Sequence, residues 1–210
     1  MGESQISNLK SQIFLVGFMA SGKSTVGPVL AAKLNRAFID LDPLIEARAG
    51  CTVAELFASE GEERFREIEM ETLRQVTLGE PAAIAPGGGA IKRSENRELM
   101  AQRGITIWLD APFELCWRRI QRDAAVRPLA ANLEEARERY ENRLQYYRQA
   151  AIHIAIDDSQ TPDEIAEAII DHIRNAGISE NTGISENTGI SENTGISENT
   201  GISEMREKDD

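Results

Sequence analysis

The stretch IFLVGFMASGKSTVG, residues 13–27, limits what this chain can become more than any other. An apolar run ends at Gly17, Gly22-Lys23-Ser24 follows after four intervening residues, and a helical pattern continues to Leu34. G-x-x-x-x-G-K-S between a strand and a helix is a phosphate cradle. Its glycines let backbone N–H groups turn inward, the helix start adds partial positive charge, Lys23 reaches the β and γ oxygens, and the Ser24 hydroxyl can ligate Mg2+. The loop is expected to hold ATP or GTP with magnesium. Ser21, Gly22, Lys23, Ser24 and Thr25 form its core. A cradle does not by itself name the reaction, because motors, switches and small-molecule kinases share it.

The rest of the chain alternates short apolar runs with helical patterns. The strand candidates are IFLV (13–16), AFID (37–40), AAIA (82–85), ITIWL (105–109) and IHIAI (152–156). Most are continuous apolar runs, which suits strands covered on both faces. Helix starts are legible as well. Thr52 with Glu55 and Ser59 with Glu62 fit capping boxes, Asp42-Pro43 fits an N-cap followed by the first helical residue, Asn132 precedes a helix over 133–149, and Thr161-Pro162 opens one over 163–175. This alternation predicts an α/β fold, a five-stranded, mostly parallel sheet with helices on both faces, with ligands beyond the carboxyl ends of the strands.

The formal net charge of −12 argues against nucleic acid or an anionic membrane as partner, since both require a basic face. Residues 177–210 contribute −6 of it and repeat GISENT four times before GISE and MREKDD. A unit with one apolar residue in six buries too little to offset its ordering, so a disordered tail is expected. The chain divides into a lead (1–10), a catalytic-size domain (11–176) and this tail. No apolar run is long enough to span a membrane and the start lacks the order of a signal peptide, so a cytoplasmic location is expected. Cys51 and Cys116 have no metal-ligand spacing and read as reduced thiols. His153 and His172 fall in a strand and a helix and read as structural.

The acceptor must be read away from the cradle. Asp40-Leu41-Asp42 closes the second strand, and residues i and i+2 of a strand share a face, so both carboxylates are expected to face the cradle. One can hold magnesium and the other can orient a hydroxyl and take its proton; Asp42 before Pro43 could equally be a helix cap. Gly87, Gly88 and Gly89 follow the third strand and permit close approach of a ligand to the main chain. Arg66 lies on a helix four residues after Glu62, an ordinary ion-pair spacing. Arg143 has Arg139 and Tyr147 at its i−4 and i+4 positions, so an external anion is a more natural partner. Arg127, before Pro128, lies between two helices, where a lid arginine closing on a transferring phosphoryl group is the functional reading.

In this order and spacing, GFMASGKST, FIDLD, GEERFREIE, APGGGA, VRPL and the helical arginine before QYY resemble shikimate kinase over about residues 11–175. The resemblance implies a P-loop kinase fold with a mobile lid, and ATP-dependent phosphorylation of the 3-hydroxyl of shikimate in chorismate and aromatic amino acid biosynthesis. It implies that Asp42 binds the substrate hydroxyls, Asp40 with Ser24 supports Mg2+, and Arg66, Arg143 and the turn at Gly87–Gly89 hold the carboxylate and ring, a rigid carboxylate being what paired arginine forks recognise. Lys23, Asp42 and Arg127 are then the catalytic set, in a direct in-line transfer without a covalent intermediate. Ala20 stands where many relatives carry glycine, acceptable if its φ is negative. Gln160 lies where an arginine often approaches adenine. A monomer acting on a small molecule is expected. A gluconate kinase or a non-catalytic nucleotide switch are the rivals; the glycine turn with two arginines favours a ring acceptor, and the acceptor residues weigh against a switch.

Overall fold

The computed structural model describes residues 11–122 and 132–176. Five strands, β1 (Gln12–Val16), β2 (Ala37–Asp40), β3 (Ala82–Ala85), β4 (Gly104–Asp110) and β5 (Ile152–Ala155), form one parallel sheet in the order β2-β3-β1-β4-β5. Among the described residues seven α-helices connect and flank them: α1 (Lys23–Lys33), α2 (Leu41–Ala49), α3 (Val53–Val76), α4 (Ser94–Arg103), α5 (Phe113–Arg122), α6 (Leu133–Tyr147) and α7 (Pro162–Asn175). The β1-to-β2 crossover runs one way across the sheet and the β2-to-β3 and β3-to-β4 crossovers run the other, so right-handed connections put α1 on one face and α3 and α4 on the other. Accordingly α7 packs on α1, and α4 packs on β1 and β4 beside α3.

The apolar runs become strands where expected, and burial grades outward from the centre. Every residue of β1, β3 and most of β4 is buried, whereas β2 is half-covered and β5 alternates between buried and exposed. Coverage on both faces therefore holds for the three inner strands and fails at the two edges. The centre of the sheet is the rigid base from which the phosphate loop leaves β1 and the glycine turn leaves β3.

Three helix starts form as read. Thr52 and Thr161 each make a reciprocal capping box, with Glu55 and Glu164, and Asn132 accepts the Glu134 N–H. Two do not. The cap of α2 is Asp40, which leaves Asp42 inside the first turn and not at the cap. The reason is local: a cap needs extended backbone, and Asp40, at φ −93° and ψ 127°, still has the strand conformation. Nor does Ser59 cap anything, because α3 is already under way there and its hydroxyl donates to the Glu55 carbonyl. The interruption comes instead at Gly61, whose φ of 83° and ψ of 176° bend α3 between two helical segments. Arg127 and residues 1–10 and 177–210 lie outside the described residues, as do the expectations of a lid and a disordered tail.

Candidate active site

Val16 ends β1 and the chain turns through Gly17–Gly22 into α1. Ser21 N–H bonds to Phe18 O at 3.1 Å, while the Lys23 ammonium bends back to the Gly17 and Phe18 carbonyls at 2.9 and 2.8 Å. Gly22 caps α1 with no side-chain hydrogen bond, so the cap residue itself does not take up the first-turn N–H groups at the positive end of that helix. The Ser21 hydroxyl is buried and has no hydrogen-bond partner among the described residues, an orphan that a phosphate oxygen would satisfy. Ala20 departs from expectation. Its φ is +60°, the left-handed region in which a Cβ is strained, so the residue adopts the conformation that glycine would take at lower cost.

Asp40 joins this loop to the acceptor side. One carboxylate oxygen accepts the Ser24 hydroxyl at 2.7 Å and the other accepts the Asp42 N–H at 3.3 Å. Hydroxyl and carboxylate oxygens are the donors that a hard divalent cation takes, and a cation shared with phosphates needs few of them from protein. Asp42 reaches the same region from the first turn of α2, not from the strand. Its Oδ1 lies 3.4 Å from where a Cβ on Gly87 would stand.

The arginines arrive from the opposite wall. Past the bend at Gly61, Arg66 is held between Glu62 at 3.1 Å and Glu69 at 2.8 Å. Its guanidinium lies so near Gly89 that a Cβ there would meet Nη2 at 2.5 Å, so the turn is glycine because the arginine passes against its backbone. Arg143 projects from α6, donates to the Gly88 carbonyl at 3.2 Å, and stands over the Phe18 ring at 5.7 Å. Glu69 is 1% exposed, and burial pushes its carboxyl up to about 7 while the neighbouring Arg66 pulls it down.

One cavity of about 990 Å3 unites these parts. Ala20–Thr25, Asp40, Asp42, Arg66, Gly87–Gly89, Arg143 and Gln160 all line it. Gln160 does so from a loop it also closes, its Oε1 accepting the Asp157 N–H at 3.0 Å. Several other residues line the cavity without a motif of their own. Glu69 lies within the quoted GEERFREIE and is three residues beyond Arg66, the spacing that would have pointed to it. Arg119, donating to Ala20 O at 3.3 Å, and the apolar wall of Phe57 and Phe65 depend on chain crossings that no local pattern announces. At one end the site can hold phosphates on backbone amides and Lys23. At the other it offers a carboxylate base and two guanidinium groups.

The shikimate kinase family (SKI) matches residues 19–174. A shikimate kinase of Synechococcus sp. (strain JA-3-3Ab) is 41% identical over 160 residues, 75% of this chain and 84% of that protein. The shikimate kinase of Acinetobacter baumannii, solved in complex with shikimate, superposes with a TM-score of 0.74 at 36% identity, over 80% of this chain and 96% of that one. A gluconokinase from Sinorhizobium meliloti 1021, at 16% identity and a TM-score of 0.55 over 80% of this chain and 94% of that one, shares the fold alone.

Proposed function

The chain belongs to the shikimate kinase family, and from that membership we propose that it transfers the γ-phosphoryl group of ATP to the 3-hydroxyl of shikimate, giving shikimate 3-phosphate and ADP. The observation that carries this reading is the single cavity that the phosphate loop, Asp42, Arg66, Arg143 and the glycine turn all line. Its place is in the synthesis of chorismate and the aromatic amino acids.

Arg66 and Arg143 bind the shikimate carboxylate as paired forks, and the backbone at Gly87–Gly89 lets the ring approach closely. With the acid end anchored, the hydroxyls fall toward Asp42, which orients the 3-hydroxyl and takes its proton as the new O–P bond forms and the bond to the ADP oxygen breaks. Lys23 and the loop amides hold the phosphates in line, and Arg127 from the lid segment neutralises the transferring group. Ser24 and Asp40 would hold Mg2+, which supplies neutralisation of phosphate charge when bound. Ala20, Ser21, Gly22 and Thr25 complete the nucleotide site, with Gln160 and Arg119 at its far edge. A cytoplasmic monomer with a catalytic domain over 11–176 is part of the same proposal.

ADP release measured with shikimate, with gluconate and without an acceptor tests it. Release that depends on shikimate is expected. Release driven equally by gluconate, or independent of any acceptor, would overturn the reading.

A further inference from the structure

Tyr147 is fully buried, yet it is absent from the cavity lining and has no part in the chemistry above. A buried phenol must place its hydroxyl somewhere. This one donates to the Gly88 carbonyl at 2.6 Å, the same oxygen that Arg143 reaches at 3.2 Å. The two side chains are four residues apart on α6, so one helix face presents a guanidinium and a phenol to one carbonyl, and its two lone pairs are both used. The ring itself is pinned. It stacks on Trp108 with centroids 5.9 Å apart and planes 21° apart, and His153 braces Trp108 edge-on at 5.0 Å. A Cβ on Gly88 would stand 3.4 Å from both Arg143 Nη1 and Gly17 O and 3.5 Å from Met19 N, so the turn lies close against the α6 arginine and the phosphate loop at once.

A trans peptide is planar, with its C=O and the next N–H pointing in opposite directions. Drawing the Gly88 carbonyl onto α6 therefore directs the Gly89 N–H away from α6. We propose that Tyr147 is a positioning residue for the acceptor: its hydroxyl fixes the orientation of the Gly87–Gly89 turn and shares with Arg143 the oxygen against which that guanidinium is aimed. The inference rests on the reading that Arg143 and this turn receive shikimate. Without the hydroxyl, Gly88 O would be left to Arg143 alone, and the guanidinium would be drawn toward it and off the carboxylate.

Tyr147→Phe in the full chain removes the hydroxyl and keeps the ring stack. The KM for shikimate should rise about three- to tenfold, the range expected for one lost hydrogen bond, with the KM for ATP within about twofold of the parent. Deuterium uptake at the Gly87–Gly89 amides should quicken. Trp108→Phe, which loosens the stack and keeps the hydroxyl, should lower the melting temperature without splitting the two KM values. Unchanged shikimate KM and unchanged exchange in Tyr147→Phe would overturn the role, as would equal changes in both KM values, which would mark a purely structural part. If the parent protein is inert toward shikimate, the assigned reaction fails, and the exchange measurement still decides whether Tyr147 holds the turn.

Discussion

Arg143 and Arg66 have the same proposed task, and their surroundings make them respond differently to removal. Arg143 is bound to a backbone carbonyl, so Arg143→Ala strips a carboxylate contact and leaves no buried charge behind. It should weaken shikimate binding by roughly 2–5 kcal/mol, seen as a raised KM for shikimate with the KM for ATP nearly unchanged. An unaltered shikimate KM would remove the assignment. Arg66 cannot be deleted so cleanly, because Glu69 beneath it would lose its partner. That carboxyl has its own signature. Its ordinary value is 4.5 and burial lifts it to about 7, so between those values the folded protein holds a proton that the unfolded chain has released. The stabilising share of this group is complete below about 4.5 and is lost as pH rises through about 7. In urea unfolding at about pH 5 and about pH 7.5, the parent should lose on the order of 2 kcal/mol more over the interval than Glu69→Gln. A variant with the same pH slope as the parent would contradict this. At this scale the sequence was a partial guide. Lys23, Ser24 and Asp40 sit where a local motif puts them, but the burial that raises Glu69, and the positive φ that Ala20 accepts, come from neighbours distant in the chain.

Among the elements, α3 shows where reading by pattern succeeds and where it stops. Thr52 and Glu55 announce its start because a capping box is a contact within four residues. Ser59 with Glu62 reads as a second helix start, yet the interruption lies at Gly61, since Ser59 satisfies its hydroxyl on the preceding turn and glycine readily takes the backbone that the bend requires. A Cβ on Gly61 would touch nothing within 4 Å, so Gly61→Ala tests conformation alone. It should destabilise the protein by about 1–3 kcal/mol in urea or thermal unfolding, because that region of φ and ψ is nearly closed to other residues. Stability equal to the parent's would mean that the helix runs straight without loss. The start of α2 carries a related lesson. Asp40 and Asp42 do meet in the cavity, but through a strand end and a helix turn, not through the alternation of a strand.

For the molecule as a whole, the number of strands and the place of the ligand site at their carboxyl ends were legible, because alternating β and α segments admit few arrangements. The order β2-β3-β1-β4-β5 was not, since strand order depends on which helices pack on which face. The segment 177–210 carries half of the net charge and none of the site residues. Its removal should leave shikimate-dependent turnover unchanged; a loss of activity or solubility in the shortened protein would give the repeats a part in the working enzyme. The proposed transfer depends above all on a nucleotide's terminal phosphate and an alcohol meeting in the cavity between Lys23 and Asp42. Phosphorus NMR of the products formed from ATP and shikimate tests that meeting most directly. A phosphate monoester of shikimate should appear in step with ADP and disappear in Lys23→Ala, whereas ADP accompanied only by inorganic phosphate would contradict the account.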